Sequence, residues 1–159
     1  MSARDVIVAA VVIFGISMGM FVINFMMGTT VDSMLSIEEI NESESVVTAF
    51  EGIDKVTARF DYLVMGVFIA LTLGIIITGW FVAGNPIFMF IFFIVTIMGV
   101  VISTILANVW EEISQASVFG TTITAFPITN NLLINLPIYV AVLGFIGLVI
   151  MFAKPQFEQ

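Results

Sequence analysis

The chain is expected to be an all-α integral membrane protein of four transmembrane helices. Helices 2 and 3 should form a tight central hairpin, with an amphipathic extension before helix 2. Three observations lead there. Residues 6–31, 62–110 and 113–153 contain no Asp, Glu, Lys or Arg. The composition is 60% hydrophobic with a mean hydropathy of +1.20, well outside the range of water-soluble domains. A hydrocarbon core takes about 20 consecutive apolar residues per helical crossing, and the charge-free runs hold four such lengths. Residues 1–159 are therefore read as a single membrane domain with no room for a separate soluble one.

The first crossing runs from about residue 6 to 28. A signal peptide has an apolar stretch of only about 7–15 residues behind a basic start. This run is much longer, and its one base, Arg4, stands beside Asp5, so a retained helix is predicted. Residues 29–60 form the main polar region, opening with Thr29, Thr30 and Asp32 as turn or cap chemistry. From Val46 an apolar stripe appears through Phe50, Ile53, Thr57 and Phe60. Its 4-3-4-3 spacing places these residues on one face of an amphipathic helix. Ser43 or Ser45 offers a cap, and Glu51 to Lys55 is a correctly ordered i,i+4 pair. The stripe is expected to extend helix 2, packing on a neighbour or lying on lipid headgroups.

The second crossing, 62–83, is followed by Gly84-Asn85-Pro86. Proline starts a helix well and ends one badly, which predicts a tight connection to a third crossing over 86–110 whose helix continues through Glu111 and Glu112 to Ser117. Trp80 and Trp110 fall near opposite ends of this hairpin, where interfacial aromatic anchors belong. Residues 111–131 are taken as a polar loop whose part 118–131 is rich in hydroxyls and lies either at the surface or partly submerged against protein. The fourth crossing covers 132–153, with Asn130, Asn131 or Asn135 as caps, Pro137 near its start and Lys154-Pro155 as a basic stop. Four crossings put both termini on one side. Arg4 and Lys154 on that side balance Lys55 and Arg59 on the other, so the first helix's usual dominance, together with the acids on the far side, favours cytoplasmic termini.

Small residues recur at helical spacing in every crossing. Gly66, Ala70, Gly74 and Thr78 line one face of the second, and Thr96, Gly99, Ser103 and Ala107 one face of the third. Such rows let helix backbones approach closely. They should face each other across the hairpin or face a neighbour. Gly15 and Gly19 in the first crossing, and Ala141, Gly144 and Gly147 in the fourth, are expected to join the outer helices to the hairpin or to a second subunit. Asn24 and Asn108 should act as interhelical glue, because an amide in a bilayer needs a partner.

The inventory of side chains argues against chemistry. There is no His and no Cys, which removes haem imidazole, thiolate ligands, a Cys nucleophile and the usual general base near neutrality. No ionisable group other than tyrosine lies inside the four apolar segments, so a proton relay within one subunit is not expected. Glu38, Glu39 and Glu42, and the pair Glu111 and Glu112, are best read as solvated acidic faces. A di-iron bundle would need Glu-x-x-His pairs. Catalytic residues, cofactors and metals are therefore expected to be none.

Twelve acids against four bases give a net charge of −8, which repels nucleic acid and anionic headgroups. The expected partners are the lipid bilayer and other membrane subunits or copies of the chain. A cationic surface could face the acidic loop 32–54. The leading expectation is a non-catalytic structural or accessory subunit of a larger membrane assembly: a respiratory or transport complex, or the membrane of a lipid-containing virion. The alternative is a holin-like pore former, and behind it a small transporter or membrane enzyme using the acidic loops.

Overall fold

A computed structural model describes residues 4–57, 59–82 and 86–157. They are helical almost throughout, with no strand among them. The elements are α1 (Arg4–Leu35), α2 (Glu38–Asn41), α3 (Glu44–Thr57), α4 (Phe60–Val82), α5 (Pro86–Gln115), a 3-10 turn (Ser117–Phe119), α6 (Gly120–Thr124), α7 (Pro127–Ile134) and α8 (Leu136–Phe157). Four helical stretches, Asp5–Leu35, Glu44–Ile77, Ile87–Gln115 and Leu136–Ala153, are long and apolar enough to cross a membrane.

Helix α1 outruns its predicted end at residue 28. Thr29, Thr30 and Ser33 turn their hydroxyls back onto the carbonyls of Phe25, Met26 and Thr29, at 2.9, 2.8 and 2.7 Å. Satisfied within the helix, they continue it instead of capping it. Ser43 does sit at the head of α3, where its carbonyl accepts from Val46 and Val47 N–H, each at 3.0 Å. Its hydroxyl meets that of Ser45 at 3.3 Å and not a backbone N–H. Glu51 and Lys55 pair on the exposed face at 3.9 Å. Pro86 is the first residue of α5, whereas the Gly84-Asn85 turn lies outside the described residues.

The four long helices form a bundle whose order differs from the expected hairpin. α1 and α8 each pack against both α4 and α5. α4 and α5, though consecutive, occupy diagonal corners. The reason lies in the inward stripes. On α5, Phe92, Thr96, Gly99, Ser103, Ala107 and Trp110 are buried, and the facing residues come from α8 and α1. A Cβ built on Gly99 would lie 3.4 Å from Val140 and 3.6 Å from Ile7. One built on Gly144 would collide with a Thr96 methyl, and one on Gly147 would fall 2.8 Å from the Phe92 ring. Among the described residues, the tightest helix approach is thus α5 on α8.

Register is also informative. Val6 and Ile7 of α1 stand beside Gly99, near the middle of α5, and Phe21 meets Trp110 near its end. α1 is therefore displaced along the bundle axis. Its last turns run on past Trp110, where Met26, Met27, Thr30 and Val31 border a groove completed by Phe50 and Ile53 of α3. The stripe Val46, Phe50, Ile53 and Phe60 is half-buried and Thr57 buried, so part of the amphipathic face lies on the chain's own first helix. The outward faces of the bundle carry Ile69, Leu73, Ile97, Val101, Ile105, Phe145 and Phe152 exposed. Such a surface has its lowest free energy in an apolar medium.

Candidate functional site

The predicted polar loop 111–131 is not a loop. α5 continues to Gln115, and α7 folds inward, packing against both α4 and α5. Thr129, Leu132 and Leu133 of α7 are buried, as is Phe126 before it. α7 is a wedge in the gap between the two diagonal helices, at the end opposite the chain termini.

Its local sequence explains how it is held. Helix N-termini leave backbone N–H groups without intrahelical partners. Pro127 at the first position removes one of these, and Phe126 at the cap position has no side-chain acceptor. The next two donors both go to one distant carboxylate. Ile128 N–H donates to Asp61 Oδ2 at 2.9 Å, and Thr129 N–H donates to Asp61 Oδ1 at 2.6 Å. Asp61 stands in the first turn of α4 and is only 3% exposed. The positive end of α7 offsets its charge, and no Lys or Arg among the described residues comes within ion-pairing distance. On the other side, Trp110 of α5 donates its indole N–H to Asn130 Oδ1 at 2.9 Å.

An aromatic cluster closes around this clamp. Phe21 meets Trp110 edge-on at 5.0 Å, Phe126 edge-on at 5.9 Å and Phe119 at 5.4 Å. Phe25 meets Phe119 at 4.8 Å. Trp110 is fully buried, so it is no interfacial anchor: its N–H finds a partner inside the protein, which removes the reason to sit among headgroups. Trp80 is 45% exposed. Asp61 escapes a sequence reading altogether, because it looks like the boundary of a charge-free run. The available signal is Pro127 opening a helix after Thr124-Ala125-Phe126, with no cap immediately before it.

The remaining predicted residues divide by face. Gly99, Ser103, Ala107, Gly144 and Gly147 are buried in the α5–α8 and α1–α5 contacts. Gly15, Gly19, Gly66, Ala70 and Gly74 lie on the exterior, with room for a Cβ at each glycine, and Ala141 is exposed too. Thr78 lies in α4 and Glu39 in α2, with side chains outside those described. The two rows of helices 2 and 3 therefore do not face each other. Val8, Val12, Ala70 and Gly74 border one groove of about 260 Å³ along the α1–α4 seam. Gly15 and Gly19 continue the Val8–Val12 face at helical spacing. Asn24 is half-buried and Asn108 exposed, and neither hydrogen-bonds another described residue.

A central void lined by Ala10, Phe68, Thr72 and Tyr139, among others, holds about 10 Å³, roughly the minimum for one water. The hydroxyls of Ser17, Thr72 and Thr129 are buried without a partner. Glu38, Glu42, Glu111 and Glu112 are exposed, and no group of three possible metal-ligating side chains forms among the described residues. Comparisons with protein-family models, curated proteins and solved structures return no match. Fold and site together define a bundle of four long apolar helices, clamped at one end by an inserted short helix and compatible with a multi-pass membrane protein.

Proposed function

We propose that the chain is a non-catalytic multi-pass membrane protein that serves as a structural or accessory subunit of a larger membrane assembly, with both termini cytoplasmic. The observation that carries this reading is the α1–α4 seam. Small residues bring helix backbones together in a bilayer, yet Gly15, Gly19 and Gly66 have open space where a neighbouring helix would pack, and Ala70 is exposed beside them. A seam lined by small side chains is shaped for a further helix, from another subunit or from a second copy. The exposed acids Asp32, Glu38, Glu42, Glu44 and Glu51 in the stretch 32–54 suit a cationic partner surface outside the bilayer. A respiratory or transport complex and the membrane of a lipid-containing virion are the host assemblies that fit such a subunit.

The absence of His and Cys from the chain supports a role other than catalysis. Among the described residues, the central void between Ala10, Phe68, Thr72 and Tyr139 holds only about 10 Å³, too little for an ion path at that level, which weighs against a pore through one bundle. The test is affinity purification from the native membrane in mild detergent, with every co-extracted chain identified. Stoichiometric recovery of other membrane subunits is the expected result. Recovery of this chain alone, as a monomer or a homo-oligomer, would sink the proposal and turn attention to conductance.

A further inference from the structure

The geometry points to a binding site for one diacyl glycerolipid in the lateral groove between α4, α7 and α8, recognised through a glycerol-ester carbonyl. This rests on the membrane location proposed above. The groove encloses about 330 Å³ between Met65 and Phe68 of α4, Pro127, Ile128, Asn131 and Leu132 of α7, and Tyr139 of α8. It lies one to two turns along α4 from Asp61, at the edge of the charge-free run, which is the depth at which a lipid's glycerol region meets its acyl chains. Its walls are apolar apart from one polar pair, and a groove open to hydrocarbon fills with hydrocarbon.

The polar pair selects the kind of lipid. Tyr139 O–H donates to Asn131 Oδ1 at 3.3 Å, and Asn135 Nδ2 approaches the same oxygen at 3.4 Å. Two donors on one atom identify it as the oxygen and leave Asn131 Nδ2 as the other end of the amide. That NH₂ group donates to no described residue. An amide donor at the margin of a bilayer takes an acceptor from its surroundings. The acceptor a lipid chain carries into such a groove is its ester carbonyl. No Lys or Arg lines the groove, so the headgroup's charge is not what is recognised.

The experiment uses the full chain in vesicles of phosphatidylcholine, in equal amounts of the diester lipid and its diether analogue, which lacks the carbonyls. Flotation with the vesicles is read first, then the protein is extracted in mild detergent and its retained lipid counted by native mass spectrometry. One retained lipid is expected, with the diester favoured about fivefold, the worth of one net hydrogen bond. Asn131→Asp keeps an accepting oxygen for Tyr139 and Asn135, replaces the NH₂ donor with a second acceptor, and should abolish the preference. Met65→Trp should displace the lipid, with circular dichroism unchanged. Equal retention of diester and diether by the unaltered chain overturns the site while leaving the membrane reading intact. A chain that fails to float overturns both.

Discussion

The α5–α8 interface and the α1–α4 seam carry the same signature and meet opposite fates. In the first, the space beside Gly99, Gly144 and Gly147 is filled by Val140, Thr96 and Phe92 from the facing helix. In the second, a Cβ placed on Gly66 of α4, or on Gly15 or Gly19 of α1, would have no neighbour within 4 Å. The difference is what stands opposite. A small residue becomes a contact only when a larger side chain or a backbone arrives to use the space. Small-residue spacing therefore marks a face able to pack, and only the partner's bulk shows which faces the monomer uses.

The largest expected effect breaks the used interface. Gly144→Leu would drive its side chain into Thr96, where even a Cβ collides with the methyl group. Overpacking of this kind costs about 3 kcal/mol, and thermal unfolding in detergent should show a large loss of Tm. Next comes the clamp. Asp61→Ala leaves the Ile128 and Thr129 N–H groups without their acceptor. Hydrogen bonds to a charged group contribute about 1.5–3 kcal/mol each, so amide exchange across residues 127–134 should accelerate by orders of magnitude. Asp61→Asn, retaining one acceptor, should fall between. Trp110→Phe is milder, since it keeps an aromatic ring against Phe21, but it loses the bond to Asn130 and leaves a small cavity where the rest of the buried indole was. About 2 kcal/mol of stability is expected to go, measured by the same melt. An unchanged melt would show that the indole N–H contributes nothing.

How much of this is legible in the sequence follows from which physical signals are local. The four apolar stretches are plain because excluding charge from hydrocarbon acts on every residue of a span. Pro86 and Pro137 mark helix starts for a similar reason, being the first residue of α5 and the second of α8. The diagonal placement of α4 and α5 is not legible. Rows of small residues on both helices suggest mutual packing, and only the bulk of Phe92 and Thr96 against Gly144 and Gly147 decides for α8. Trp110 could be belt or core by composition, and Asn130, twenty positions away, makes it core. Asp61 and α7 depend on each other across 67 and 68 residues of sequence. Neither carries its meaning alone: an acid at a helix head is ordinary, and a proline-led helix without a cap reads as loop.

The outer seam gives the comparison its sharpest test. Gly15→Leu and Gly66→Leu place bulk where the monomer has open space, so the bundle itself should melt as before. The measurement is the mass of the intact complex, extracted from native membrane in mild detergent, for these two variants beside the unaltered chain and Ala141→Leu as a second exposed position. The unaltered chain should give a defined assembly, reduced to single bundles by Leu at either glycine. An assembly of unchanged mass in both seam variants would contradict a packing role for the seam.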